Sequence, residues 1–396
     1  MSIDHVLEEA RRFAPILLLD RAEPFRPVQI GVHAFHAEGP SPSSKFQVTL
    51  RGDICYEYAI FWDHDICHTY DLEHVWVHVA EGKVIAVEAT FHGSRHEVSL
   101  ALADGQPLIW CEAGAHAHFR NRAHRDQMAE ATRLTCGSSA GHGGVHTGNP
   151  FAQDWTEITA ADHRLAKLYL QRLQFTPCFG HGLDVDLADV PFLPVTDLPV
   201  FIKARMEILL GKLRRQTPHM PAIFFDCGDT LVDEGTEIKR DDGSDVVISA
   251  ELIPGAEKVI RDLHDMGYRL CLVADGPRET FENVLKPSGL WDLFEQHVIS
   301  GDVGVHKPDA RMFEVAREKM GLTKDQLRYV PMIGNNLERD ILGANRAGHP
   351  SFFFDWSDRR RRIPETQDEQ PTVQFSSLQV LVHILQLFEF SLSKDP

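Results

Sequence analysis

The strongest constraint on the fold lies in the second half of the chain, where short apolar runs end one after another in polar or glycine-rich turns. Strand candidates fall at 222–226, 269–274, 297–300, 329–334 and 351–355, with helix-spaced segments between most of them. Short runs that are apolar on both faces suit strands covered on both sides, and alternation with helices suits a parallel sheet wrapped by them. A doubly wound α/β domain is therefore expected, with ligands at the carboxyl ends of its strands.

The first half reads differently. From Phe25 to Trp110 apolar residues alternate, as in Val75-Trp76-Val77-His78-Val79, with turns at Glu81-Gly82 and Asp104-Gly105, which predicts an antiparallel β-sandwich. Leu165, Leu168, Tyr169 and Leu173 predict a helix near 160–174, and Ile202, Met206, Leu209, Leu210 and Leu213 another over 200–215. Between them, 176–199 is rich in Pro, Gly and Asp and reads as an irregular connection. A chain of 396 residues exceeds one ordinary core. The expected division is a His-rich β domain at 1–158, a helical and irregular linker at 159–218, and an α/β domain at 219–396.

A formal charge of −18 argues against nucleic acid and anionic membranes as partners, because both need a basic face. Small molecules or cations fit better, and nothing indicates an oligomeric state. No apolar stretch is long enough to span a membrane, and Met1 to Arg12 lacks the apolar core of a secretion signal, so a cytoplasmic location is expected. The seven cysteines have no C-x-x-C spacing, so free thiols are expected rather than a disulfide framework. The run Arg359 to Arg362 reads as a solvated loop.

The chemistry-bearing residues sit where the second-half strands stop. Ala222-Ile223-Phe224-Phe225 opens into Asp226-Cys227-Gly228-Asp229-Thr230. Val273-Ala274-Asp275-Gly276 ends the next strand. Lys307-Pro308 follows Gly301-Asp302-Val303-Gly304, and Gly334-Asn335-Asn336-Leu337-Glu338-Arg339-Asp340 follows the fourth strand. In this order and spacing the four segments resemble motifs I to IV of the haloacid dehalogenase (HAD) superfamily. The resemblance implies Asp226 as a nucleophile that forms an acyl-phosphate, and Lys307 as the cation that offsets negative charge. It implies Mg²⁺ held at Asp226, Gly228, Asn335 and Asp340, and phosphate contacts at Thr230, Ala274, Asp275 and Gly276. A carboxylate approaching a phosphate dianion needs such neutralisation, and Mg²⁺ prefers oxygen ligands.

Three positions depart from the family's pattern. Gly228 stands where a second Asp serves as general acid and base, Ala274 where a Ser or Thr binds phosphate, and Asn335 where an Asp is expected. An unreplaced general acid would cost roughly 10²- to 10⁴-fold in rate. The spacing between motifs leaves room for a hairpin around Asp241-Asp242-Gly243 but not for a cap domain.

Of the 22 histidines, 14 lie between His5 and His146, which points to a second kind of site in the first half. The segment from Asp63 to His74 concentrates potential ligands, and Asp71 and Glu73 would share one strand face. With His74, His92, His116 and His118 they form a candidate second divalent-metal site. The elements Arg12-Phe13-Ala14-Pro15, Asp71-Leu72-Glu73-His74, His92-Gly93 and Gly114-Ala115-His116-Ala117 resemble the vacuolar protein sorting sixty-two family and necrosis-inducing toxin-like β-sandwiches.

The expectation is a Mg²⁺-dependent HAD-type hydrolase, most simply a phosphatase, with the β domain as substrate-binding or lid module. The alternative is that a metal-binding β domain carries the function and the altered α/β domain is a noncatalytic binding or assembly module.

Overall fold

The computed structural model describes residues 3–180 and 182–392. The chain forms two units, Met1–Thr217 and Pro218–Pro396.

In the first unit, helix α1 (Ile3–Arg12) precedes strands β1 (Ile16–Leu19), β2 (Pro27–Phe35), β3 (Ile54–His64), β4 (His68–Ala80), β5 (Lys83–Phe91), β6 (Ser94–Val98) and β7 (Gln106–Trp110). β2 through β6 form an antiparallel ladder in chain order. β1 and β7 belong to a second sheet, where they pair in parallel. Leu17 and Ile109 of the smaller sheet and Ile30, Tyr58 and Val77 of the larger one share one buried cluster. The unit is thus mixed rather than wholly antiparallel.

The segment 159–217 is part of this unit rather than a linker. Within its Pro-rich stretch, Leu183–Asp186 pairs antiparallel with β1 and Phe192–Pro194 pairs in parallel with β2. Helices α2 (Arg122–Cys136), α3 (Ala160–Gln171) and α4 (Leu198–Gln216) complete the unit. Thr159 and Asp162 make a capping box at the start of α3, and Arg214 on α4 holds both Asp162 oxygens at 2.7 and 2.8 Å. Prolines and glycines that disfavour long strands still permit short ones at sheet edges.

In the second unit six strands pair in parallel: β8 (Ile223–Phe225), β9 (Leu270–Ala274), β10 (Gln296–Ile299), β11 (Met332–Gly334), β12 (Ser351–Phe354) and β13 (Val373–Phe375), in the spatial order β10-β9-β8-β11-β12-β13. Successive strands therefore run outward from β8 first to one side and then to the other. This reversal opens a crevice at the carboxyl end of β8. Helices α5 (Ala256–Asp265), α6 (Arg278–Leu285), α7 (Ala310–Lys319), α8 (Leu342–Ala347) and α9 (Leu381–Ser391) cover the sheet. Ile223, Phe225, Leu272 and Ile333 pack with α5 and α9 residues, while Phe224, Val273 and Met332 pack with α7 residues, so both faces are buried. The excursion after β8 is a short bulged hairpin, Ile238–Lys239 against Val247–Ser249.

One buried carboxylate fastens the last helix to the sheet. Glu389 on α9 accepts the Met220 N–H at 2.9 Å and the Tyr268 hydroxyl at 2.7 Å, at the entries to β8 and β9. Tyr268→Phe would leave Glu389 short of a donor in a buried place. The variant is expected to lose about 1–3 kcal/mol, read as a lower urea midpoint at unchanged slope.

Candidate functional site

Three neighbouring strands deliver the groups at the crevice. β8 stops at Asp226, whose N–H donates to Ile333 O on β11 at 2.9 Å. β9 stops at Ala274, followed by Asp275 and Gly276. β11 stops at Gly334, and a tight helical turn, Leu337–Ile341, carries Asp340 back over it. Only glycine allows this approach, because a Cβ at 334 would overlap the Asp340 carboxylate.

Lys307 joins these ends. It is 3% exposed, and its Nζ lies 2.7 Å from Asp226 Oδ1, 2.6 Å from Asp340 Oδ1 and 2.7 Å from Val273 O on β9. Burial works against its charge, but Asp226, Asp340 and Asp275 outweigh it and hold the ammonium well above its ordinary range. Asp340 is pushed up to about 7, first by burial and then by the charge of Asp226, against the pull of Lys307. Its second oxygen accepts the Asn336 N–H at 3.0 Å.

A cavity of about 790 Å³ opens here, with Asp226, Gly228, Asp275, Gly276, Lys307, Asn335 and Asp340 in its wall. Asp275 Oδ1 accepts the Lys307 N–H at 3.0 Å. Thr230 is fully buried and donates to Asp226 Oδ2 at 3.3 Å, so it orients the carboxylate. The Ala274 side chain is buried in the core and is not part of the cavity wall, so it offers no side-chain contact there. A hydroxyl is nevertheless present, since Ser300, after β10, lines the cavity and accepts the Gly276 N–H at 2.8 Å.

Asp229, the sequence neighbour of Gly228, is fully buried and held by the Arg359 guanidinium, with Nε 3.0 Å from Oδ2. The arginine run is a partly exposed loop, as expected, but each arginine is ion-paired: Arg359 also meets Asp233, Arg360 meets Glu234, Arg361 meets Glu369, and Arg362 meets Asp355. Glu234 went unnoticed in the sequence. It lines the cavity, and its carboxyl is raised by burial, Asp229 and Asp226 against the pull of Arg360.

In the first unit the six candidate ligands separate into distinct pairings. His116 Nδ1 lies 3.0 Å from Asp71 Oδ2 and its Nε2 3.4 Å from Glu23 Oε1, while its ring stacks on Trp62 at 3.7 Å. His92 meets Glu112 at 2.6 Å, His74 meets the Ser43 hydroxyl at 3.0 Å, and Glu73 takes the Thr90 hydroxyl. His118 Nδ1 faces Thr90 O at 3.3 Å and lies 3.9 Å from Glu73. Among the described residues no group of three or more His, Cys, Asp or Glu side chains is arranged to hold a metal ion. The partners that would have served a metal are used by hydrogen bonds instead. Asp71, Glu73, His74 and His92 do line a second cavity of about 840 Å³, together with His68, His146 and Tyr70.

Comparisons with known proteins bear on the second unit. Residues 235–348 match the haloacid dehalogenase-like hydrolase family, so the C-terminal part contains a domain of that family; Asp226 lies just ahead of the matched span. The chain is 32% identical over 127 residues to a phosphoserine phosphatase of Thermus thermophilus, covering 32% of this chain and 48% of that protein. It is 29% identical over 136 residues to an (S)-2-haloacid dehalogenase of a Pseudomonas species, covering 34% and 54%. The chain spans about half the length of the curated relatives it matches. Among solved structures, the HAD-hydrolase YfnB of Bacillus subtilis is 30% identical over 34% of this chain and 56% of that one, with a TM-score of 0.31.

His116 offers a test of the first unit's buried network. Burial lowers its basicity, but Glu23 and Asp71 reverse this and raise it to about 10. The stabilisation is complete below the unfolded value near 6.5 and is lost as pH rises through about 10. His116→Ala, which strands two carboxylates, is expected to cost about 3–5 kcal/mol near neutral pH. In denaturant melts the gap to wild type should narrow as pH approaches and passes 10.

Proposed function

We propose that the C-terminal unit is a phosphatase that hydrolyses small phosphate monoesters through an acyl-phosphate on Asp226. The observation that carries the reading is the buried contact of Lys307 with both Asp226 and Asp340 at the floor of an open cavity. An ammonium with no freedom to leave holds the Asp226 carboxylate in place by a 2.7 Å contact. It also offsets the repulsion between that carboxylate and an incoming phosphate dianion. Asp226 Oδ would attack phosphorus, the ester oxygen would depart with the bonding pair, and water would then cleave the acyl-phosphate and return the carboxylate.

The residues present fit a Mg²⁺ ion in one respect: Asp340, lifted to about 7 next to Asp226, marks an excess of negative charge that a cation would relieve. Mg²⁺ commonly takes one or two carboxylates and keeps several waters, and Asp226 and Asp340 supply that pair. When bound, the ion would add Lewis-acid neutralisation of the phosphoryl oxygens. Asp275, Gly276 and Ser300 are the polar groups available to the phosphate at the end of β9 and β10. The related dehalogenase also matches this region, but the hydroxyl of Ser300 and the ammonium of Lys307 suit a phosphoryl group.

A metal-centred role for the first unit has less behind it, because its candidate ligands pair off with one another and with hydroxyls. We assign that unit a binding role through its own cavity.

Asp226→Asn is expected to abolish turnover of a phosphate monoester panel assayed with Mg²⁺. Lys307→Met should lower kcat by about 10²- to 10³-fold. Equal rates for wild type and Asp226→Asn would remove the nucleophile from the account.

A further inference from the structure

The reaction just described, on which this inference rests, leaves a proton without a carrier. An alkoxide leaving phosphorus must gain one, and the water that cleaves the acyl-phosphate must lose one. Position 228, two residues beyond the nucleophile and in the same cavity wall, has no side chain to offer. Its space is nonetheless filled. A Cβ built on Gly228 would overlap Glu234 Oε1 and lie 3.1 Å from the Glu234 carboxyl carbon. The glutamate reaches that place from the 3₁₀ turn Glu234–Thr236, so a carboxylate occupies the position without belonging to it in sequence.

Glu234 is also held in a way that suits proton transfer. Its Oε2 accepts from Arg360 Nη2 at 2.6 Å, which leaves Oε1 over the Gly228 backbone beside the cavity. Glu237 and Asp275 also line the cavity, but the three atoms nearest a Cβ at 228 all belong to Glu234, and several of the remaining carboxylates are engaged. Asp340 is bonded to Lys307 and the Asn336 N–H, Asp302 to Arg278, and Glu279 to Arg240. Asp229 is fully buried on Arg359 and lies outside the cavity wall.

We propose that Glu234 is the general acid and base of the reaction, supplying from a neighbouring turn the carboxyl group that position 228 lacks. As Asp226 Oδ bonds to phosphorus and the P–O ester bond breaks, the leaving oxygen takes the proton of the Glu234 carboxyl group. The Glu234 carboxylate then takes a proton from water as the water oxygen bonds to phosphorus. The P–Oδ bond breaks with its electron pair returning to Asp226, phosphate departs, and Glu234 is again protonated. Arg360 is a positioning residue that fixes one oxygen and so aims the other.

The test compares an alkyl phosphate with p-nitrophenyl phosphate, whose leaving group departs without a proton, in wild type, Asp226→Asn and Glu234→Gln with Mg²⁺ present. Glu234→Gln is expected to lose about 10²- to 10⁴-fold on the alkyl ester. It should keep a pre-steady-state burst of p-nitrophenolate, with the acyl-phosphate accumulating behind it. A merely structural glutamate would lower both esters by the same factor, and that result, or no change on either, overturns the inference. A second arm moves the carboxylate: Gly228→Asp combined with Glu234→Gly should recover alkyl ester turnover lost in Glu234→Gly alone, and failure to recover counts against the proposal. If wild type is active, Asp226→Asn is dead and Glu234→Gln is unchanged, only this inference falls. If wild type hydrolyses neither ester, the phosphatase reading falls and takes it along.

Discussion

The second unit depends on one buried ammonium. Lys307 sits where three parallel strands stop, and its Nζ bonds to a carboxylate after β8, a carbonyl at the end of β9 and a carboxylate beyond β11. Without it, two carboxylates would face each other in a place largely closed to water, an arrangement the protein could keep only by protonating one of them. The strand order brings these ends together, because β9 and β11 flank β8 on opposite sides. Fold and charge are therefore a single constraint: the sheet sets where the carboxylates lie, and the lysine between them offsets their repulsion.

A second layer of charge surrounds the first. Arg359 fixes Asp229 in the loop that follows Asp226, Arg360 fixes Glu234 a few residues on, and Arg361 and Arg362 bind Glu369 and Asp355. Charge-assisted, partly buried pairs of this kind restrict loop motion more than isolated surface pairs do. The loop after β8 is thus held by Arg359 and Arg360 at Asp229, Asp233 and Glu234.

Much of the candidate site's frame could be read from sequence because its signals are local. An apolar run ending in Asp226, and Lys307 and Asp340 each following a strand in a fixed order, need no knowledge of distant partners. The five expected strands formed, four with shorter bounds and one, Gln296–Ile299, shifted by a residue, while Val373–Phe375 escaped notice because three residues at a sheet edge leave little periodicity. What was not legible depended on long-range pairing. Glu234 fills the space above Gly228 only because Arg360, 126 positions away in sequence, holds it there. The ion pairs of the arginine run were hidden for the same reason. In the first unit, alternation along β4 placed Asp71 and Glu73 on the cavity, but sequence could not show that His116, His92 and His74 already had other partners. The Pro-rich stretch was misread as a connection, since edge strands of three or four residues are specified by their neighbours rather than by their own composition.

The central claim is that the carboxylate held by Lys307 becomes covalently bonded to phosphorus. Quenching the protein in acid during the first turnover of a phosphate monoester, then mapping the modified peptides by mass spectrometry, examines this directly. The account predicts a hydroxylamine-labile phosphate on the peptide containing Asp226. Turnover with no phosphorylated peptide, or with phosphate on a residue other than Asp226, would contradict it.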